Sequence, residues 1–257
     1  MSTVAITRKP SPLLETGERT HIGRDPIDFK RALAQHDGYR AALAELGARV
    51  TRLEDADAFP DGVFVEDTAL VLSEVAISMR PGAESRRGEV SGILTELMRY
   101  REVITIGPPA TIDGGDIVVV GNRILVGRSE RTNREGTDAL SSIAKRFGYT
   151  VRAVRMSGCL HLKSGCTALP DGRLLINRRW IDERDVADFD LVDVPEAEPW
   201  GGDVAFIGDT VIAAAAFPRT LETLTGLGIS TRPVDVSEFA RAEGGVTCMS
   251  LIFRLSS

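Results

Sequence analysis

Three side chains of this 257-residue chain could together attack an electron-poor carbon: Cys248, His161 and Asp113. A thiol, an imidazole and a carboxylate are the nucleophile, the proton carrier and the orienting acid of covalent catalysis. His161 follows Asp113 by 48 residues and Cys248 follows His161 by 87. Cys248 stands in Gly244-Gly245-Val-Thr-Cys248-Met-Ser250, where paired glycines let backbone approach a ligand closely. By residue type alone, a packing cysteine at the start of an apolar strand and a structural histidine are the competing readings. Cys159 and Cys166 flank apolar residues and are expected to pack. No Cys/His group has metal-ligand spacing, so no metal is expected.

Charged residues suggest what the carbon belongs to. Asp61, Glu66 and Asp67 crowd carboxylates beside apolar Val63, Phe64 and Val65, an arrangement that suits a planar cation taking paired hydrogen bonds. A solvated loop is the alternative there. Arg86, Arg87 and Arg131 each lie between a hairpin and a helix, where a guanidinium could grip a carboxylate. Carboxylates for a guanidinium and arginines for a carboxylate together describe an arginine-like amino acid.

The elements that must bring these groups together form a repeat. Gly114-Gly115-Asp116-Ile-Val-Val-Val-Gly121 and Gly201-Gly202-Asp203-Val-Ala-Phe-Ile-Gly208 align without a gap, 87 residues apart. Ser164 to Asn177 and Phe64 to Ile77 share the outline of two β-rich runs around a polar turn. Two periods of roughly 43 to 44 residues fall in the range of propeller-like repeats. Helical spacing is expected over Ser91 to Tyr100, Thr137 to Phe147 and residues 219–227, each followed by a strand. The N-terminal segment supplies a helix over Phe29 to Leu46, ended by Gly47, and a strand over Arg49 to Leu53. A C-terminal strand, Cys248 to Leu255, is expected to pair with Thr3 to Arg8 and close the ring. The fold expected is an α/β propeller of five ββαβ modules with pseudo-fivefold symmetry, one domain over residues 1–257. Equivalent positions of successive modules converge on the axis of such a ring, which brings Asp113, His161 and Cys248 to one mouth.

Composition narrows the class. Hydrophobic residues at 43% and charged residues at 26% fit a soluble globular protein and argue against disorder. A net charge of −6 without a basic run argues against nucleic-acid binding. The longest apolar run, Val211 to Phe217, falls far short of the ~20 residues a membrane span needs. The opening MSTVAITRKP has no apolar signal core. Three cysteines cannot all pair, which favours a reduced, cytoplasmic setting.

Six segments carry a resemblance: FVEDTALV (64–71), RPGAESRR (80–87), DGGD (113–116), RTNREG (131–136), LHLKS (160–164) and GGVTCMS (244–250). In order and spacing they resemble the dimethylarginine dimethylaminohydrolases of the guanidine-modifying (pentein) superfamily. The resemblance implies a five-bladed α/β propeller that hydrolyses Nω-methylated arginine to citrulline and a methylamine. By the same resemblance Cys248 is the nucleophile, His161 the general acid and base, and Asp113 the acid that orients His161 and touches the guanidinium. It makes Asp116 structural, and gives Asp61, Glu66 and Asp67 to the cationic end and the α-amino group. Arg86 and Arg131 fall to the substrate carboxylate, and residues 13–25 to a mobile lid with a backbone carbonyl near Arg19. The backbone carbonyl of Ala242 is a further contact. The implied substrate is a small molecule, and no metal or organic cofactor is required. An arginine deiminase of the same superfamily is the nearest alternative; those enzymes are longer and carry an acid where this chain has Lys163. A non-catalytic ring-shaped binding factor is a second alternative, and it would not need Cys248, His161 and Asp113 together.

Overall fold

A computed structural model describes residues 2–255. The first sheet joins both ends of that span: β1 (Thr3–Thr7) leads through α1 (Phe29–Glu45) to β2 (Ala48–Arg52), parallel to β1. The next two modules follow one plan, a hairpin and then a helix leading to a parallel third strand. They are β3 (Ala69–Val71), β4 (Val75–Ser78), α2 (Val90–Leu97) and β5 (Glu102–Thr105), then β6 (Ile117–Val120), β7 (Arg123–Arg128), α3 (Arg134–Lys145) and β8 (Thr150–Arg155). A short turn of helix, α4 (Leu162–Gly165), precedes β9 (Cys166–Ala168), β10 (Leu174–Ile176) and β11 (Leu191–Asp193). The last full module is β12 (Val204–Ile207), β13 (Thr210–Ala214), α5 (Pro218–Gly226) and β14 (Ser230–Val234). After α6 (Ser237–Ala240), β15 (Leu251–Arg254) pairs antiparallel with β1, so the ring is closed by the pairing the sequence predicts.

The sheets hold together because each central strand is apolar on both faces. Alternate residues of a strand point to opposite sides, and here they feed different cores. Ile124 and Val126 of β7 enter the cluster shared with the preceding sheet, while Leu125 enters the cluster shared with the next. Val4 and Ile6 of β1 face one neighbour and Ala5 the other. β13 divides in the same way, Val211 and Ala213 against Ile212 and Ala214. One apolar cluster therefore lies between each pair of adjacent sheets, the five-bladed α/β propeller that the repeat implies.

Local signals set the element ends. Asp28 accepts from Arg31 N to cap α1, and Asn133 accepts from Gly136 N to cap α3. Gly121 and Gly208 turn their hairpins at φ 60° and 58° in equivalent copies, a conformation costly for other residues. Two expectations shift. The fourth module has no helix between β10 and β11, only a turn at Glu183–Asp185. The final strand starts at Leu251 rather than Cys248, because Glu66 N donates to Cys248 O and Ser250 N to Thr247 O, drawing Cys248 into a turn. Strands β3, β6, β9, β12 and β15 surround an axial cavity of about 280 Å³ with Glu66 and Lys163 among its lining residues. Among the described residues no helix is long and apolar enough to cross a membrane.

Candidate active site

The predicted residues arrive from four modules. Asp61 and Asp67 precede β3, Arg86 precedes α2, Arg131 precedes α3, His161 precedes α4, and Ala242 and Cys248 precede β15. All seven line one cavity, with Glu18, Phe64, Leu160, Glu243 and Gly244 completing it. Its free space is only about 20 Å³, room for a water rather than an amino acid.

His161 Nε2 lies 3.0 Å from Asp113 Oδ2, and Nδ1 lies 3.8 Å from Asp67 Oδ1. Asp113 is fully buried behind the imidazole and also accepts from Gly82 N at 2.8 Å. A Cβ on Gly115 would fall 2.6 Å from Nδ1 of His161, so only glycine lets the histidine seat there. Burial alone would lower the pKa of His161; the charges of Asp67 and Asp116 and the hydrogen bond to Asp113 outweigh it and raise it to about 10. Asp67, opposed by burial but facing His161 and Arg86, is held down to about 2. The imidazole is therefore an imidazolium at neutral pH. Cys248 is the reverse case. Burial, and then the charges of Asp203, Glu66 and Asp67, raise its thiol well above the ordinary range. Gly245 N donates to Sγ at 3.4 Å, and the Thr247 hydroxyl lies 3.9 Å from it. A cation docked beside it would offset those carboxylates and favour the thiolate.

The two arginines differ. Arg86 is buried and committed to protein: Nη1 pairs with Asp67, Nη2 with Glu89 at 2.9 Å, and Nη2 also donates to Phe64 O at 3.0 Å. Any substrate carboxylate would have to share it. Arg131 is only 9% exposed, yet among the described residues its guanidinium makes no hydrogen bond or ion pair, which leaves all its donors to the cavity. Arg87 turns away to Glu84 and to Pro81 O. Glu66 also points away from the cavity, pairing with Lys163 at 2.5 Å and accepting from Thr247 Oγ1 at 2.7 Å.

Residues 13–25 reach two residues of the cavity lining, Asp61 and Glu243. Glu18 N donates to Asp61 Oδ2 at 3.0 Å, and a Cβ on Gly17 would come within 2.3 Å of Asp61 Oδ1. Thr20 N and His21 N both donate to the carboxylate of Glu243. Glu243 holds φ 62°, a left-handed backbone that a non-glycine residue rarely adopts. Arg19, the lid residue singled out by the resemblance, is absent from the lining; Glu18 lines the cavity, and Arg19 binds Glu15 O and Asp25 O. Asp116 accepts from Ser129, Thr132 and Leu162 N, a structural role within reach of the histidine. Asp67, Asp113 and His161 present donor atoms within 4.8 Å of one another, a spacing open to a metal. Asp113 already holds Nε2 and Arg86 already holds Asp67, so the group is better satisfied by protons.

Sequence reasoning missed Glu89, Glu243 and Asp203, and took in Glu18 only as part of segment 13–25 beside Arg19. Of the three, only Asp203 left a trace, as the equivalent of Asp116 in the second Gly-Gly-Asp copy.

No family model matches the chain. It is 38% identical over 251 residues to the N(G),N(G)-dimethylarginine dimethylaminohydrolase of Pseudomonas aeruginosa, covering 96% of this chain and 98% of that protein. To the protein of the same name from Streptomyces coelicolor it is 40% identical over 252 residues, 97% and 96% of the two chains. The Pseudomonas aeruginosa structure, a cysteine-to-serine variant complexed with citrulline, superposes with a TM-score of 0.93 at 36% identity, over 98% of this chain and 100% of that one. The N-terminal domain of a cyanobacterial arginine dihydrolase, 20% identical, shares the fold with a TM-score of 0.83 over 98% of both chains.

Proposed function

The chain belongs to the dimethylarginine dimethylaminohydrolase family, and from that we propose that it hydrolyses Nω-methylated arginine to citrulline and a methylamine through the thiolate of Cys248. The observation that carries this reading is the cavity itself: Cys248, an acid-held imidazolium, carboxylates and Arg131, unpaired among the described residues, line one space. Residues 2–255 act as one propeller unit with residues 13–25 as its lid. A cytoplasmic setting suits a thiol nucleophile.

In this reading Arg131, with a share of Arg86, takes the substrate carboxylate, Asp61 takes the α-amino group, and Asp67 faces the guanidinium. As the cation docks, the Cys248 thiol loses its proton to solvent. The thiolate attacks the guanidinium carbon and forms a tetrahedral adduct. His161, already protonated, gives its proton to the departing nitrogen; the C–N bond breaks, and a neutral methylamine leaves behind an S-alkylthiouronium. The now neutral His161 takes a proton from water as the hydroxide adds to that carbon. Collapse breaks the C–S bond, restores the thiolate and yields citrulline, whose extra proton passes to solvent. Asp113 keeps the imidazole in place throughout.

The test compares citrulline formed from asymmetric dimethylarginine and from free arginine, by wild type and Cys248→Ser. Turnover of the methylated substrate is expected, with a fall of roughly 1,000-fold or more in the variant. Preference for free arginine would move the chain to deiminase chemistry. Activity retained by Cys248→Ser would remove the proposed nucleophile.

A further inference from the structure

The two Gly-Gly-Asp copies do matching work. Asp116 accepts from Leu162 N at 3.0 Å, the residue after His161. Asp203 accepts from Thr247 N at 2.9 Å, the residue before Cys248. In each case the acid of one blade fixes backbone beside a reactive residue of the next. Gly245 belongs to the same fit, since a Cβ there would strike the Asp203 carboxyl at 2.3 Å.

The copies differ in their supply of protons. Asp116 faces three donors: the hydroxyls of Ser129 and Thr132, and Leu162 N. Asp203 faces Thr247 N and the Thr247 hydroxyl, 3.2 Å from Oδ2. That hydroxyl also lies 2.7 Å from Glu66 Oε2. A hydroxyl carries one hydrogen, and the shorter contact gives it to Glu66, whose other oxygen takes the Lys163 ammonium at 2.5 Å. Oδ2 of Asp203 then meets a lone pair unless it carries a proton of its own.

We propose that Asp203 is a positioning residue that stands as a neutral carboxylic acid, donating to Thr247 Oγ1 and accepting from Thr247 N to hold Cys248 in its turn. This rests on the reading of Cys248 as the nucleophile. Among the described residues the charged and titratable groups that face Asp203 are Glu66, Lys163, Cys248 and Tyr39. Desolvation, opposed by the Thr247 N–H and reinforced by Glu66, pushes Asp203 up to about 7, in the same direction as the geometry. A neutral Asp203 adds no further anion to Glu66 and Asp67 around the sulfur that must become a thiolate.

The proposal makes asparagine and alanine unequal. Asparagine keeps an acceptor for Thr247 N and a donor for Thr247 Oγ1, whereas alanine leaves Thr247 N without its acceptor and Thr247 Oγ1 with its bond to Glu66 alone. Citrulline formation is measured for Asp203→Asn and Asp203→Ala, with the rate at which chloroacetamidine alkylates Cys248 and the infrared band of protonated carboxyl groups. Expected are a fall of about 30-fold or more in kcat/KM and slowed alkylation for alanine, and rescue to within about threefold for asparagine. The wild type should show one protonated-carboxyl band that Asp203→Asn lacks. Asparagine no better than alanine, alanine no worse than wild type, or a band that survives in Asp203→Asn would each overturn the proposal. Cys248→Ser is assayed alongside: turnover in that variant ends the nucleophile reading, while the infrared difference still decides the state of Asp203.

Discussion

Two buried arginines in one cavity have opposite liabilities. Arg86 neutralises Asp67 and Glu89, so Arg86→Ala strands two carboxylates and should cost about 3–5 kcal/mol of folding stability. Arg131 has no such partner, so Arg131→Ala should leave the urea midpoint nearly unchanged and raise KM about 10- to 100-fold, the loss of a charge-assisted contact to substrate. Urea titration and steady-state kinetics on both variants check the contrast; equal effects on KM and stability would contradict it. The sequence presents these arginines as equivalent, each between a hairpin and a helix. Glu89 separates them, and nothing in the pattern around it marks a pairing that depends on how the chain turns after Ala83. His161 and Asp113 were legible for the opposite reason: their interval tracks the module length, so the ring alone carries them to the same mouth.

At the scale of elements, the lid and the turn after α6 act as a pair. Residues 13–25 hold to the body through backbone N–H groups on Asp61 and Glu243, and the space beneath is too small for an amino acid. In the proposed function this segment, as a lid, parts for substrate to enter. Gly17→Ala sets a methyl against Asp61 and should lift the lid, lowering kcat/KM about tenfold and hastening proteolysis within residues 13–25 while the melting temperature barely moves. Unchanged proteolysis would show that the segment is not held by these contacts. Neither contact was readable in the sequence, since Glu243 reaches residues more than 220 positions away and its left-handed backbone has no glycine to announce it. The helices and strands were readable: apolar alternation and capping residues are local, and the missing helix of the fourth module coincides with a stretch that has no helical spacing.

For the molecule as a whole, the charge buried at the ring's mouth should shape stability against pH. Folded His161 keeps its proton up to about pH 10, whereas the unfolded residue releases it near ~6.5. Between those values the folded state binds more protons, so stability is fully present below the lower value and declines as pH rises toward the upper one. His161→Gln should flatten that decline, as read by urea midpoints across the window; an unaltered slope would place its origin in other groups. The ring around this site was legible as a whole because one interval of 87 residues recurs in both the Gly-Gly-Asp copies and the reactive residues. The contacts between blades, such as Asp203 with Thr247, were not, because each joins residues that share no local pattern.

Ring closure and the nucleophile sit side by side, Cys248 only three residues before β15. During translation this order has a consequence. A nascent chain halted before residue 248 already carries His161, Asp113 and both arginines but no reactive sulfur, and one halted before residue 251 lacks the strand that seals the first sheet. The proposed nucleophile is thus made only three residues before the strand that joins the circle, so a chain halted ahead of it lacks the sulfur that the proposed hydrolysis uses.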